Sequence, residues 1–260
     1  MTNDDGDSAS QEGLSIWAAR LAPVLAAAVE RSVPDTGAAM AFSGGVDSGL
    51  VAMLAARKAR PLTLYCVGLP GAPDLPAARR AAEALGLSGR LAVVEAGPEE
   101  VLEAAKKIWR LLPDATLLEV SFLVPALLVS GRAAERDVLT GDGADELFGG
   151  YHRYASMWPG ELPAALERDV DELLSCGLAR HRAVAGSAGK RLRTPYLDPE
   201  VVSLARSIPP GLKVLRGERK AVLRRAAALL GLPRSLCSAQ KRAAQYGTGV
   251  HALLMKKKSR

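Results

Sequence analysis

The stretch AMAFSGGVDSGLVAML, residues Ala39 to Leu54, decides how the chain is read. A short apolar run ends at Phe42, and an apolar segment with helical spacing follows from about Asp47. Adjacent glycines cost backbone entropy, so a plain strand-to-helix turn does not call for both Gly44 and Gly45. A glycine-rich turn at a helix N-terminus presents unpaired N–H groups and the positive end of the helix dipole, which together make a phosphate site. Ser43 and Ser48 add hydroxyl donors. Asp47 is out of place in a bare anion site, but it fits one where a divalent cation sits between carboxylate and phosphate, as Mg²⁺ prefers. The Walker pattern GxxxxGK[ST] would need a lysine after these glycines, and the GxGxxG fingerprint is absent.

Working outward, AAMAF (Ala38–Phe42) reads as a buried strand and PLTLYCVGL (Pro61–Leu69) as another, apolar throughout as strands covered on both faces are. RLAVVEA and RDVLT supply a third and a fourth strand. Between them PDLPAARRAAEALGL, PEEVLEAAKKIWRLL and a stretch from about Glu119 to Ala134 read as helices, the first closed by Gly86. Strand and helix alternate with crossovers long enough for parallel pairing, which implies a doubly wound α/β sheet. Ligands of such sheets sit beyond the carboxyl ends of the strands. Both glycine-aspartate clusters, Ser43–Ser48 and Gly141–Gly150, fall there. After Tyr151 strand signals stop, so the second half is expected to be helical. The expected organisation is a disordered acidic lead-in at 1–14, one domain at 15–252 (sheet core about 37–150, helical part 151–252) and a basic tail at 253–260.

A hydrophobic content of 48% with 24% charged residues suits a soluble globular chain of 260 residues. No apolar run of about 18 residues stands out as a membrane span, and the acidic N-terminus is the reverse of a signal peptide. The net charge of +6 permits a polyanion partner. No arginine–aromatic interleaving accompanies it, so nucleic acid is not the expected partner. Three cysteines, at 66, 176 and 237, are too few and too scattered for a disulfide framework or zinc site, which fits a reducing cytoplasm. Cys66 reads as a small buried hydrophobe. His152, His181 and His251 show no metal spacing and read as surface or capping residues.

SGGVDS matches SGGxDS, and on that match the segment resembles the pyrophosphate loop of the N-type ATP pyrophosphatases. VLTGDGADELFGGYHRY (Val138–Tyr154) resembles the signature of the asparagine synthetase family. GKRLRTPYLD (Gly189–Asp198), GERKAVLRRA (Gly217–Ala226) and QKRAAQYGTG (Gln240–Gly249) resemble further segments of that family in the same order. The resemblance implies the adenine nucleotide alpha hydrolase, or PP-loop ATP pyrophosphatase, type of sheet. It also implies an amide ligase: a carboxylate, aspartate by default, attacks the α-phosphorus of ATP, and ammonia or an amine then displaces AMP. In that reading Ser43, Gly44, Gly45, Asp47 and Ser48 hold pyrophosphate, and Asp47 and Asp145 bind Mg²⁺. Val67 meets adenine through its main chain, and Gly141 lies beside the adenosine. Lys220 meets the α-phosphate, where positive charge stabilises the reacting centre. Asp142 orients or deprotonates the attacking nitrogen, because ammonium must lose protons before it attacks.

Two features depart from the family. Glutamine-dependent members begin with a glutaminase domain whose cysteine follows the initiator Met; here residue 2 is Thr and the Ala38 strand starts within the first 40 residues. Nitrogen is therefore expected from free ammonia, another amine or a separate glutaminase subunit. Arg191 stands where the family motif carries an acid, a charge reversal expected to bear on the acceptor pocket. That leaves a β-lactam synthetase-like or other amide-forming acceptor open. Outside this class stand a tRNA-modifying enzyme on the same loop and a non-catalytic ATP-binding protein.

Overall fold

The computed structural model describes residues 3–59, 61–239 and 247–258. Strands β1 (Ala38–Ala41), β2 (Leu62–Gly68), β3 (Leu91–Glu95) and β4 (Asp137–Leu139) form where the apolar runs place them. With β5 (Arg191–Arg193) they make one parallel sheet in the order β3-β2-β1-β4-β5. β5 corrects the expectation that strands end after Tyr151. Three residues, two of them arginine, carry no apolar signal. What holds them is pairing to β4 and the buried Asp137, whose carboxylate accepts from Arg191 Nη2 at 2.8 Å and Arg193 Nε at 2.7 Å.

Alternation along the strands serves two cores. Ala38, Met40, Leu62, Leu64 and Cys66 face one side, packed with α1 (Asn3–Ser32), α2 (Val46–Ala55) and α3 (Asp74–Ala84). Ala39, Tyr65, Val67 and Val138 face the other, packed with α4 (Pro98–Leu111) and α5 (Leu117–Arg132). α5 starts where it does because Thr116 and Glu119 form a capping box. Cys66 is buried in β2, and none of the three cysteines is in a disulfide among the described residues.

The rest is mainly helical: α6 (Ala144–Phe148), α7 (Leu162–Glu172), α8 (Leu178–Ser187), α9 (Pro199–Ser207) and α10 (Pro210–Lys213). A hairpin of β6 (Val214–Leu215) and β7 (Glu218–Arg219) leads into α11 (Ala221–Leu229), α12 (Arg234–Cys237) and α13 (Val250–Lys258).

Helix runs into both ends of the described chain. Helix α1 begins at Asn3, within the stretch expected to be a disordered lead-in. Its Ser10–Ser32 stretch is long and apolar enough to cross a bilayer by composition, a span the sequence reading did not single out. Leu21, Leu25, Ala28 and Val29 of that stretch are packed in the core. At the other end the basic tail continues α13, anchored by buried Leu254 and by Ser121 Oγ to His251 Nδ1 at 3.0 Å.

From β1 the chain steps outward through β2 and β3, then crosses back to β4 on the other flank of β1. The strand order therefore reverses between β1 and β4. The crevice beyond their carboxyl ends is where such sheets bind ligands.

Candidate functional site

The turn after β1 is built by its glycines. Gly44 has φ +76°, and a Cβ there would lie 2.9 Å from the Ala77 carbonyl oxygen, so α3 packs directly on the turn. Gly45 precedes α2 in extended conformation, and no side chain caps that helix among the described residues, leaving its first N–H groups for a ligand. Ser48 Oγ accepts from the Ser43 amide at 3.2 Å and lies 3.0 Å from Ser43 Oγ, so the two hydroxyls are tied across the turn.

The turn after β4 meets it. A Cβ on Gly141 would stand 3.2 Å from Asp47 Cβ, a tight contact, so the two turns approach closely here. Lys220 joins them: its Nζ donates to Asp47 Oδ2 at 2.7 Å and lies 2.7 Å from Asp145 Oδ1. This lysine precedes α11 at φ +59° and is only 6% exposed, which excludes a surface role. Burial lowers its pKa, but the two carboxylates outweigh that and hold it above the ordinary lysine value. Gly150 closes the cluster, since a Cβ there would overlap Asp145 Oδ1 and Lys220 Cε. Tyr196 OH donates to the Asp47 carbonyl at 3.2 Å, its buried ring set edge-on against Phe148. Asp47 Oδ1 is buried without a hydrogen-bond partner among the described residues. An orphaned carboxylate oxygen beside a second carboxylate is the donor set a Mg²⁺–phosphate pair needs.

Next along the β4 turn, Asp142 Oδ2 lies 3.0 Å from His181 Nδ1 on α8. Burial pushes the Asp142 carboxyl up, but the imidazolium opposite more than offsets this and holds it below the usual range. Burial lowers the His181 pKa, and Asp142 reverses the sign, so His181 titrates above its ordinary value. Glu146 is pushed up to about 7, by burial first and by the Asp145 charge, against the hydrogen bond it accepts from Tyr151 OH at 2.6 Å.

Val67 lies one residue before the end of β2. Gly68 turns its carbonyl to the β3 side, where Ala96 N donates to it, and Tyr65 turns its own to Phe42 N beside β1. By alternation the Val67 amide and carbonyl face the β1 side, past the last β1–β2 pair at Ala41 and Tyr65. So the turn at Ser43, Gly44, Gly45, Asp47 and Ser48 meets the turn at Gly141, Asp142 and Asp145, with Lys220 between them and the Val67 main chain on the β2 side.

Two expectations need correction. Arg191 does not reach the crevice. It starts β5, level with Asp137 at the opposite end of β4, and its guanidinium is spent on that carboxylate. His181 is not a surface or capping residue but the partner of Asp142. Sequence reading gave no role to Gly150 or Tyr196, although the doubled glycine before Tyr151 and the TPYLD stretch were visible; nothing around His181 marked it.

An all-parallel sheet with two glycine-aspartate turns meeting at its switch point defines a PP-loop α/β domain of the ATP pyrophosphatase type. The family model described as asparagine synthase matches residues 20–163 and 156–259. A provisionally named glutamine-hydrolysing asparagine synthetase 1 of Methanocaldococcus jannaschii is 32% identical over 253 residues, covering 82% of this chain and 46% of that protein. Glutamine-hydrolysing asparagine synthetases of Brassica oleracea (32%, 77% and 37% covered) and Triphysaria versicolor (31%, 77% and 37% covered) are also similar. The chain belongs to the asparagine synthase family. It spans less than half the length of these relatives.

Proposed function

We propose that this chain carries out the ATP-dependent, AMP-forming half of amide synthesis: it adenylates a carboxylate, releases pyrophosphate, and passes the acyl group to ammonia or an amine. The observation that carries this reading is the convergence of Asp47 and Asp145, from separate strand ends, within 2.7 Å of the same Lys220 nitrogen. A P-loop kinase would present one lysine to the outer phosphates. Here a glycine turn without a lysine holds the leaving group, and the lysine comes from another element.

The Ser43–Ser48 turn binds pyrophosphate through its hydroxyls and the open N–H groups of α2. Val67 and Gly141 take the adenosine end. Lys220 offers its ammonium to the α-phosphate, where negative charge grows as the carboxylate attacks. Asp47 and Asp145 would hold Mg²⁺, which when bound supplies charge neutralisation on the phosphates. Asp142 accepts a proton from the attacking nitrogen. That proton removal is general-base work for a positioned carboxylate, worth typically ~10²–10⁴-fold.

Aspartate is the proposed acid, in keeping with the named relatives. The charge reversal at Arg191 no longer argues for a different acceptor, because that residue is engaged outside the crevice. Ammonia is the proposed nucleophile, free or delivered by a separate glutaminase subunit, and ATP and aspartate as substrates suit a cytoplasmic location.

Product analysis tests the reading. Incubation with ATP, Mg²⁺, aspartate and ammonium should yield AMP and pyrophosphate, and Asp47→Ala should abolish both while keeping a cooperative unfolding transition. ADP with orthophosphate, or pyrophosphate exchange unchanged in Asp47→Ala, would overturn it. AMP released only when RNA is added would favour a tRNA-modifying enzyme instead.

A further inference from the structure

Asp142 is the carboxylate asked to take a proton from nitrogen, yet it is sunk in the crevice, about a quarter exposed. A carboxyl group in that setting on its own protonates and loses its capacity to accept. His181 prevents this. Its Nδ1 engages Oδ2 at 3.0 Å, and the Asp142 amide is held by Thr140 Oγ1 at 3.4 Å, so one oxygen and the backbone are fixed. The Thr140 hydroxyl also favours the charged carboxylate, so two side chains hold Asp142 ionised. On α8 itself Arg180 turns to Asp114, ahead of α5, and to Glu119 in its first turn, and Arg182 lines an open cleft along the β5 edge with Lys190, Arg191 and Arg193. From α6 only Glu146 adds its field, favouring the imidazolium further.

We propose that His181 is a positioning residue for amide formation: by engaging Oδ2 it holds the Asp142 carboxylate in place and ionised for the incoming nitrogen. The inference rests on the ligase reading above. In the step concerned, the nitrogen lone pair forms the C–N bond at the acyl carbon, the C–O bond to the adenylate phosphate breaks, and AMP leaves with that electron pair. One proton leaves nitrogen for the Asp142 carboxylate and goes on to solvent. Adenylation does not use Asp142, so His181 belongs to the second half-reaction.

The test compares the full chain with His181→Asn, which keeps a donor at the same place without the charge, and His181→Ala, which loses both. ATP–pyrophosphate exchange with aspartate reads adenylation, and asparagine formed reads amide transfer. The ratio of amide formed to exchange should fall at least about tenfold in His181→Asn and further in His181→Ala. The acid limb of kcat/KM, plotted against free ammonia, should move to higher pH in His181→Asn, because a buried Asp142 without its cation protonates more readily. A role in folding alone would move neither. Independently of activity, the His181 imidazole followed by NMR should titrate above 6.5 in the wild-type chain and fall in Asp142→Asn. An unmoved acid limb with an unchanged ratio, or a His181 titration at or below 6.5 in the wild type, overturns the inference. No pyrophosphate exchange in the wild-type chain would sink the ligase reading itself, and this step with it.

Discussion

At Gly44 a methyl group would meet the Ala77 carbonyl oxygen at 2.9 Å while the backbone stays at φ +76°. Both costs fall on Gly44→Ala, which should lose about 1–3 kcal/mol in urea unfolding; a smaller loss would mean that α3 can move off the turn. Lys213 gives the opposite kind of prediction. It is nearly buried at the end of α10, and burial pushes its amine down to about 8, against the pull of Glu167. Between pH 8 and its ordinary 10.5 the unfolded chain holds a proton the native chain has released, so stability should rise with pH there. Below pH 8 the buried charge is carried in full. Lys213→Met should therefore raise the urea midpoint at pH 7 and flatten the rise from pH 8 to 10. At this scale the sequence was most legible where a residue type has one use: SGGVDS, GDGADE and Lys220. It was least legible at His181 and Tyr196, whose roles come from atoms more than 35 residues away along the chain.

β5 is a strand that only its neighbours make. Asp137, buried at the start of β4, takes both Arg191 and Arg193, and its carboxyl is pushed up by burial but pulled lower still by the two guanidinium groups. Asp137→Asn keeps the shape and removes the charge, which should cost about 2–4 kcal/mol and loosen amide exchange in β4 and β5 first. Because the folded pKa is depressed, the contribution is complete above the ordinary 3.8 and fades as pH falls through the lower native value. The wild-type advantage over the variant should thus stay level from pH 5 to 7 and shrink below 3.8; an advantage constant down to pH 2 would argue against the ion pairs. The other four strands of the parallel sheet were readable from apolar runs bounded by turn residues. β5 was not, since three residues with two arginines carry no period.

Across the whole molecule the two cores share one sheet, separated only by the pleat, so neither is expected to unfold alone. Trp17 packs on the α1–α2–α3 core and Trp109 on the α4–α5 core, while Trp158 is 73% exposed. Denaturation of chains keeping only Trp17 or only Trp109 should give coincident fluorescence midpoints, matching far-UV dichroism. Separated midpoints would show two independent units in place of the single domain expected from the sequence. By itself the sequence determined the parallel α/β sheet and the residues of the two strand-end turns, because strand period, glycine placement and turn chemistry are local properties. Only the tertiary structure decided that Lys220 sits between Asp47 and Asp145, that His181 faces Asp142, and that Arg191 is drawn away to Asp137. Each of those is a contact between charged groups distant along the chain, and whether such groups meet depends on how strands and helices pack, which no local pattern encodes.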